Sequence, residues 1–423
     1  MGRRGRQAPL CVDICLGIPF LARKGMPFSF PARHYRTRAP MTLTVEAGRF
    51  LSLAPAAERE GLPWIAPGLI DLQVNGFGGV DFNRPGLTPE AWQQACTRLR
   101  AQGCTGFLAT LITHSDAETT ALLQTLRARR EAAPENCLGY HLEGPFLNPD
   151  PGTRGAHDPA RMIPADGALF QRWNQAADGA IRLMTLAPEI APRAALALIG
   201  QLRAAGVHVS IGHSAAMGET LRRAAEAGAE TWTHLGNAVP RQIDKFENVL
   251  LHALAEERLA AFLIPDGLHL PPHAFLALSR ALGPRLLLTT DAMSGADAPP
   301  DRPAAAFTLG AQQVELTPDG RAVLPGSGRL AGSILTPFAG VFRAAELGAM
   351  PWAAAWEAFS IRPARLLGLD HGVAPGRPAD YCLFTHDPAN AHAAIPPRLL
   401  GTFEQGRAVW RDPALPAEYA SPI

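Results

Sequence analysis

Glu143, His213, His234 and Asp291 each stand at or near the C-terminal end of a short apolar run, in residues 137–144, 207–214, 231–238 and 285–293. Runs of this length read as buried parallel strands, and the C-terminal ends of such strands are where barrel enzymes assemble their sites. Two imidazoles and a carboxylate can hold a divalent metal with one position left open, and a second carboxylate can move a proton beside it. A lone strand-end histidine is more often a hydrogen-bonded core residue, and a lone strand-end carboxylate can simply pair with an arginine. The combination is what points to metal-assisted hydrolysis.

The first candidate strand sets the number of metals. It contains Asp71-Leu72-Gln73-Val74-Asn75-Gly76, where many metal hydrolases built on barrels carry a His-x-His pair. Amides are poor ligands for a soft or borderline ion. No lysine stands at any candidate strand end, which excludes a carboxylated lysine bridging two ions. One divalent ion per subunit follows, zinc being the first candidate and iron, manganese or cobalt the others.

These residues need a scaffold that gathers four strand ends. From residue 70 onward, apolar runs at 70–76, 106–113, 137–144, 182–189, 207–214, 231–238, 260–269 and 285–293 alternate with helical stretches at 89–102, 117–133, 192–205, 218–227 and 272–281. Gly103, Gly206 and Gly228 stand as helix stops. Eight strands with helical crossovers predict an α/β fold, a (β/α)8 TIM-type barrel over residues 67–369. Residues 148–166, rich in Pro, Gly and polar side chains, predict a mobile flap over the barrel mouth. Residues 294–330 predict a hairpin excursion turning at Pro318-Asp319-Gly320, and helices at 335–347 and 352–367 complete the barrel. Strand-like segments at 43–53, 381–384 and 402–410 predict a small β-sandwich domain built from the N- and C-terminal segments, 41–66 and 370–423.

Charge is distributed unevenly. Net charge is +1, yet residues 1–40 hold eight Lys or Arg against Asp13 alone. The remainder carries 31 basic and 37 acidic residues, which offers no nucleic-acid surface. Residues 1–40 superficially resemble an export signal, but Asp13 breaks the apolar stretch and Arg23-Lys24 stands where a small-residue cleavage site belongs. They read instead as a disordered leader, or as a start placed upstream of a native one at Met41. No run of about 20 apolar residues is available to span a membrane. The six cysteines lack a paired framework, so reduced thiols and a cytoplasmic location are expected. Only two lysines occur, Lys24 and Lys245.

Eight motifs, in order from Pro67 to Leu369, resemble those of N-acetylglucosamine-6-phosphate deacetylases of the amidohydrolase superfamily. They include His141-Leu142-Glu143-Gly144-Pro145-Phe146, Gly155-Ala156-His157, Gly212-His213-Ser214, Thr233-His234-Leu235-Gly236-Asn237-Ala238, Asp266-Gly267-Leu268-His269, Thr290-Asp291-Ala292-Met293 and Leu330-Ala331-Gly332-Ser333. The resemblance implies that Glu143, His213 and His234 are metal ligands, that Asp291 is the catalytic acid and base, and that His157 polarises an acetyl carbonyl. It places Gln73 and Asn75 in the branch without a second metal. It assigns Asn237, Ala238 and His269 to a sugar phosphate, and Ala156, Leu330, Ala331 and Gly332 to backbone contacts around the ring. It also implies a homodimer in which a cation crosses the interface to the phosphate.

The departures fall on the phosphate side. Gly236 stands where the family has an aromatic residue, Val239 where it has Met, and Lys245 roughly where it has the interfacial Arg; Arg241 is the alternative anchor. A lysine can neutralise a phosphate but cannot make the arginine fork. Two other readings therefore stay open: deacetylation of another amino sugar, such as N-acetylgalactosamine 6-phosphate or an unphosphorylated sugar, and a catalytically silent barrel with a binding role.

Overall fold

The computed structural model describes residues 26–133, 135–240, 242–299, 307–387 and 396–419. Eight parallel strands, Leu69–Val74, Cys104–Leu111, Cys137–Glu143, Ile181–Leu186, His208–Ile211, Thr231–Trp232, Ala260–Leu263 and Leu286–Leu288, hydrogen-bond to one another in chain order. A parallel bridge between Val74 and Ala292 joins the last segment to the first. Each predicted apolar run supplies one strand of this (β/α)8 barrel.

The strands read as nearly continuous apolar runs because both of their faces are covered. Ile70, Leu72, Leu108, Leu183, Phe262 and Leu287 pack together with Ala364 and Leu367. Toward the strand C-termini the filling turns polar. His141 bonds the Leu72 carbonyl at 3.1 Å and the Thr185 hydroxyl at 2.8 Å, and the Thr185, Thr233 and Ser210 hydroxyls continue the chain at 2.8 and 2.6 Å. Buried polar groups of this kind are tolerated because each has a partner.

Helices Pro89–Arg100, Asp116–Ala132, Pro192–Ala204, Gly218–Ala227 and Pro272–Leu282 occupy the predicted crossovers. Two more, Gly167–Ala176 and Val249–Ala255, were not legible as separate helices. The first is capped by Asp166, which accepts from the Ala168 and Leu169 amides, and it buries Leu169, Phe170 and Trp173. The single helix expected at 352–367 is two, Trp352–Ala358 and Ile361–Leu366. Ser360 breaks it at φ −142° and ψ −79°, and its hydroxyl donates to the Gly68 carbonyl at 2.6 Å. The predicted excursion is a three-stranded sheet of Phe307–Leu309, Gln312–Leu316 and Ala322–Val323.

The small β domain contains one seven-stranded sheet, in the order Arg407–Arg411, Arg398–Glu404, Tyr381–Thr385, Trp64–Pro67, Phe28–His34, Pro40–Glu46 and Arg49–Pro55. Its core centres on Tyr381, whose ring stacks on Phe403 with centroids 4.4 Å apart and also meets Phe30 and Phe50. The expectation of a leader up to residue 40 is corrected for its described part. Phe28–His34 pairs antiparallel with Pro40–Glu46 and parallel with Trp64–Pro67, and it buries Phe30 and Ala32. The expectation for residues 1–25 lies outside the described residues. Proline lacks the ladder donor, but the pairing to Trp64–Pro67 involves only Arg33 and His34, so Pro31 owes no bond on that side.

Candidate active site

Glu143 is the last residue of the third barrel strand, whereas His213, His234 and Asp291 stand two to three residues beyond the fifth, sixth and eighth. All three adopt left-handed backbone, with φ of +48°, +30° and +51°. Non-glycine residues avoid this region, and their clustering at one strand-end surface is the pattern of a functional site. The turn off each strand brings the side chain over the barrel mouth.

Glu143 Oε1 is the focus. It accepts from Gln73 Nε2 at 2.8 Å and lies 2.9 Å from His234 Nε2 and 3.2 Å from His213 Nε2. Burial opposes its ionisation, but the bonds and charges of His213 and His234 outweigh that and hold its carboxyl well below the usual range. His213 Nδ1 lies 3.0 Å from the Thr153 carbonyl, which can only accept. In the protonated ring Nε2–H donates to Glu143; in the neutral ring the proton stays on Nδ1, which leaves the Nε2 lone pair free for a metal ion.

His157 brings a fourth group to the same point. Glu143, His157 and His213 offer ligand atoms all within 4.8 Å of one another. The Thr113 amide donates to His157 Nδ1 at 3.4 Å, with the Thr113 hydroxyl at 2.8 Å. Nδ1 is thus an acceptor, so Nε2, 3.7 Å from Glu143 Oε2, carries the ring proton. Burial, followed by the neighbouring His213, pushes the His157 pKa down to about 3, which keeps the ring neutral. The atoms that fit a divalent ion are Nε2 of His213, Nε2 of His234 and a Glu143 oxygen, all at one point, and the buried His234 Nδ1 is free to carry that ring's proton; His157 Nε2 offers a hydrogen instead.

Asp291 Oδ1 accepts from Asn75 Nδ2 at 2.7 Å. Burial, then the charge of Glu143, raises its carboxyl from 3.8 to about 8. Its strand end is anchored by Asp71, which accepts from the Thr289 and Thr290 hydroxyls at 2.5 Å each. Ser333 holds the other side, its amide donating to the Asp291 carbonyl at 2.9 Å.

These groups lie in a cavity of about 650 Å³. The flap supplies Gly155, Ala156 and His157, and Asn237, Ala238, His269, Leu330 and Gly332 line the remainder as the motifs suggested. His269 donates from Nδ1 to Asp266 at 2.6 Å; burial works against the Asp266 charge, but this bond holds its carboxyl low. Three expected contacts fare differently. Ala331 is buried in an apolar cluster with Met293 and Phe307 rather than lining the cavity. Lys245 is exposed, its ammonium 5.2 Å from the Phe246 ring, and it does not line its own chain's cavity. Arg241 lies outside the described residues.

Sequence reasoning missed several parts. Gln73 and Asn75 marked a missing metal, yet they also brace Glu143 and Asp291. Thr153 acts through a carbonyl, which no residue type advertises. Glu189 ties the flap to the barrel, accepting from Asn148 at 2.9 Å and from the Ser214 hydroxyl at 2.7 Å. Arg329 also lines the cavity, directly before Leu330 in the chain. At Gly236, where the relatives' aromatic ring was expected, a Cβ would lie 2.7 Å from Leu270 Cδ2, so Leu270 occupies that space.

A model of the amidohydrolase family matches residues 64–409. The N-acetylglucosamine-6-phosphate deacetylase of Bacillus subtilis (strain 168) is 32% identical over 332 residues, covering 76% of this chain and 81% of its own. The N-acetylgalactosamine-6-phosphate deacetylase of Shewanella sp. (strain ANA-3) is 32% identical over 356 residues, covering 81% of this chain and 84% of its own. Among solved structures, a mutant N-acetyl-D-glucosamine-6-phosphate deacetylase from Mycobacterium smegmatis, in complex with N-acetyl-D-glucosamine-6-phosphate, superposes with a TM-score of 0.79. It is 28% identical, with 91% of this chain and 99% of that one covered. The chain belongs to the amidohydrolase superfamily and, within it, to the N-acetylglucosamine-6-phosphate deacetylase family.

Proposed function

We propose that the protein hydrolyses the acetamide of N-acetylglucosamine 6-phosphate to glucosamine 6-phosphate and acetate. The observation that carries this reading is the convergence of Glu143, His213, His234, His157 and Asp291 at one cavity, on the scaffold its relatives use. Glu143, His213 and His234 would hold one divalent ion, zinc being the first candidate and iron, manganese or cobalt the others. Such an ion supplies Lewis-acid polarisation of the acetyl carbonyl and a more acidic attacking water.

The chain's own groups do the rest. Asp291 takes a proton from the attacking water and returns it to the leaving amine nitrogen. Burial and the Glu143 charge raise its pKa in the ion-free site, and a bound cation would offset part of that rise, bringing the carboxyl toward the range where it can act as base and then as acid. His157 donates from Nε2 to the carbonyl oxygen as negative charge grows there. Asn237, Ala238 and His269 hold the sugar phosphate, and Ala156, Leu330 and Gly332 flank the ring.

The galactosamine epimer is the second reading, favoured by relatives of both names at the same 32% identity. An acetate-release screen over both epimers, with and without 6-phosphate, tests the assignment. A preference for unphosphorylated sugar overturns it, and a metal-free, inactive protein would favour the silent barrel.

The protein acts as a homodimer in this reading. Ile243, Phe246 and Leu251 are exposed apolar side chains on the segment that carries Lys245, which supports a contact between copies. Lys245 would then reach the phosphate of the partner's site. A cytoplasmic location is supported by four buried, unpaired cysteines, Cys96, Cys104, Cys137 and Cys382. No helix of the described residues is long and apolar enough to cross a membrane.

A further inference from the structure

A phosphate ester brings up to two negative charges into a cavity already lined by Glu143 and Asp291. Among the described residues lining that cavity, Arg329 alone is a Lys or Arg. It is half-buried, and its guanidinium pairs with no carboxylate among the described residues; its hydrogen bonds run through the backbone, from its amide to Ser327 Oγ at 3.2 Å and to its carbonyl from the Leu324 amide. Arg98, Arg100 and Arg203, equally half-buried, pair with the carboxylates of Asp297, Glu404 and Glu230, while Arg182, Arg285 and Arg362 donate to backbone carbonyls; none of these lines the cavity. A cation kept beside a cavity without a carboxylate partner is poised for an anion from solution.

The loop that carries it is built rather than loose. Val323 and Leu330 form an antiparallel bridge, and the Leu324 amide donates to the Arg329 carbonyl at 2.9 Å. The Ser327 hydroxyl closes the turn on the Leu324 carbonyl at 3.1 Å. Gly326 and Gly328, at φ +72° and +61°, supply the left-handed steps the turn requires. Ser327 and Gly328 are exposed and line the cavity, so this turn is part of its rim.

We infer that Arg329 binds the substrate's phosphate from within the same chain, an inference that rests on the deacetylase reading above. The guanidinium fork makes two parallel hydrogen bonds to phosphate oxygens, a geometry that Lys245 cannot supply. Phosphate recognition then has a cation that does not depend on a second copy of the chain.

The test compares wild type with Arg329→Ala, Arg329→Lys and Lys245→Ala, by acetate release from N-acetylglucosamine with and without 6-phosphate. For Arg329→Ala, KM for the phosphorylated sugar is expected to rise roughly 10- to 100-fold, the scale of a lost charge-assisted bond. Its preference for phosphorylated over unphosphorylated sugar is expected to fall by a similar factor, while kcat changes little. Arg329→Lys restores part of the preference. Equal losses on both sugars, or a collapse in Lys245→Ala with Arg329→Ala unaffected, overturns the inference.

Failure of the deacetylase reading is a separate result, namely no acetate from either sugar with the wild type. Thermal shift then decides on Arg329 alone, using glucose 6-phosphate against glucose. Stabilisation by glucose 6-phosphate that is lost in Arg329→Ala supports the inference. Stabilisation that survives the substitution, or none in the wild type, overturns it.

Discussion

Asp291 is pulled in opposite directions by its surroundings. Burial and the charge of Glu143 raise its carboxyl, while His234 and the hydrogen bond from Asn75 lower it. Asn75→Ala removes one lowering contribution, so the pKa of the base rises and the acid limb of the kcat/KM profile moves to higher pH. A limb that stays or moves to lower pH contradicts this role for Asn75. Asp291→Asn keeps the metal and substrate contacts but cannot carry the proton. Its kcat is expected to fall by about 10²- to 10⁴-fold with metal content unchanged. Wild-type turnover in that variant removes Asp291 from the mechanism. Metal removal adds a linkage test. The folded-state pKa of about 8 lies above the ordinary 3.8, so the stability held by the neutral carboxyl is complete below about pH 4 and is lost as pH rises through 8. Metal-free protein should lose denaturant resistance across that window, and Asp291→Asn should lack this component.

At the scale of elements, the site is a set of turns hung on strand ends. The strands were legible in the sequence because burial on both faces leaves an apolar run that stops where chemistry begins, as at Glu143 and Asp291. The turns were not, because a left-handed φ at His213 or His234 leaves no mark on residue type. The same holds for the Thr153 carbonyl and the Thr113 amide, which fix two imidazoles through the backbone. The flap offers a direct test. Gly155 has φ +56°, and a Cβ there would lie 3.1 Å from His213 Cε1. Gly155→Ala is expected to displace the flap and lower kcat/KM by up to about 100-fold, the cost of a misplaced group near the reacting atoms. Its unfolding midpoint should change little, since the barrel core is untouched; a wild-type kcat/KM would show that the flap does not position His157.

At the scale of the whole molecule, the barrel and the small β domain are joined by Arg100, which pairs with Glu404 at 2.6 Å and also with Glu135. The fold class was readable from strand and helix periods. The strand at Phe28–His34 was not, because Pro31 and the basic residues around it masked the alternation that buries Phe30 and Ala32. Phe30 is 1% exposed within an aromatic stack, so Phe30→Ala is expected to cost about 3–5 kcal/mol in denaturant unfolding. A loss below about 1 kcal/mol would mean that this strand adds little to the domain. The account as a whole predicts a single catalytic ion on one sugar-phosphate substrate. The measurement that tests it is acetate release from N-acetylglucosamine 6-phosphate while metal-stripped protein is titrated with zinc. Activity should rise linearly and level off at one equivalent per chain; no release at any loading, or a plateau only at two equivalents, would contradict it.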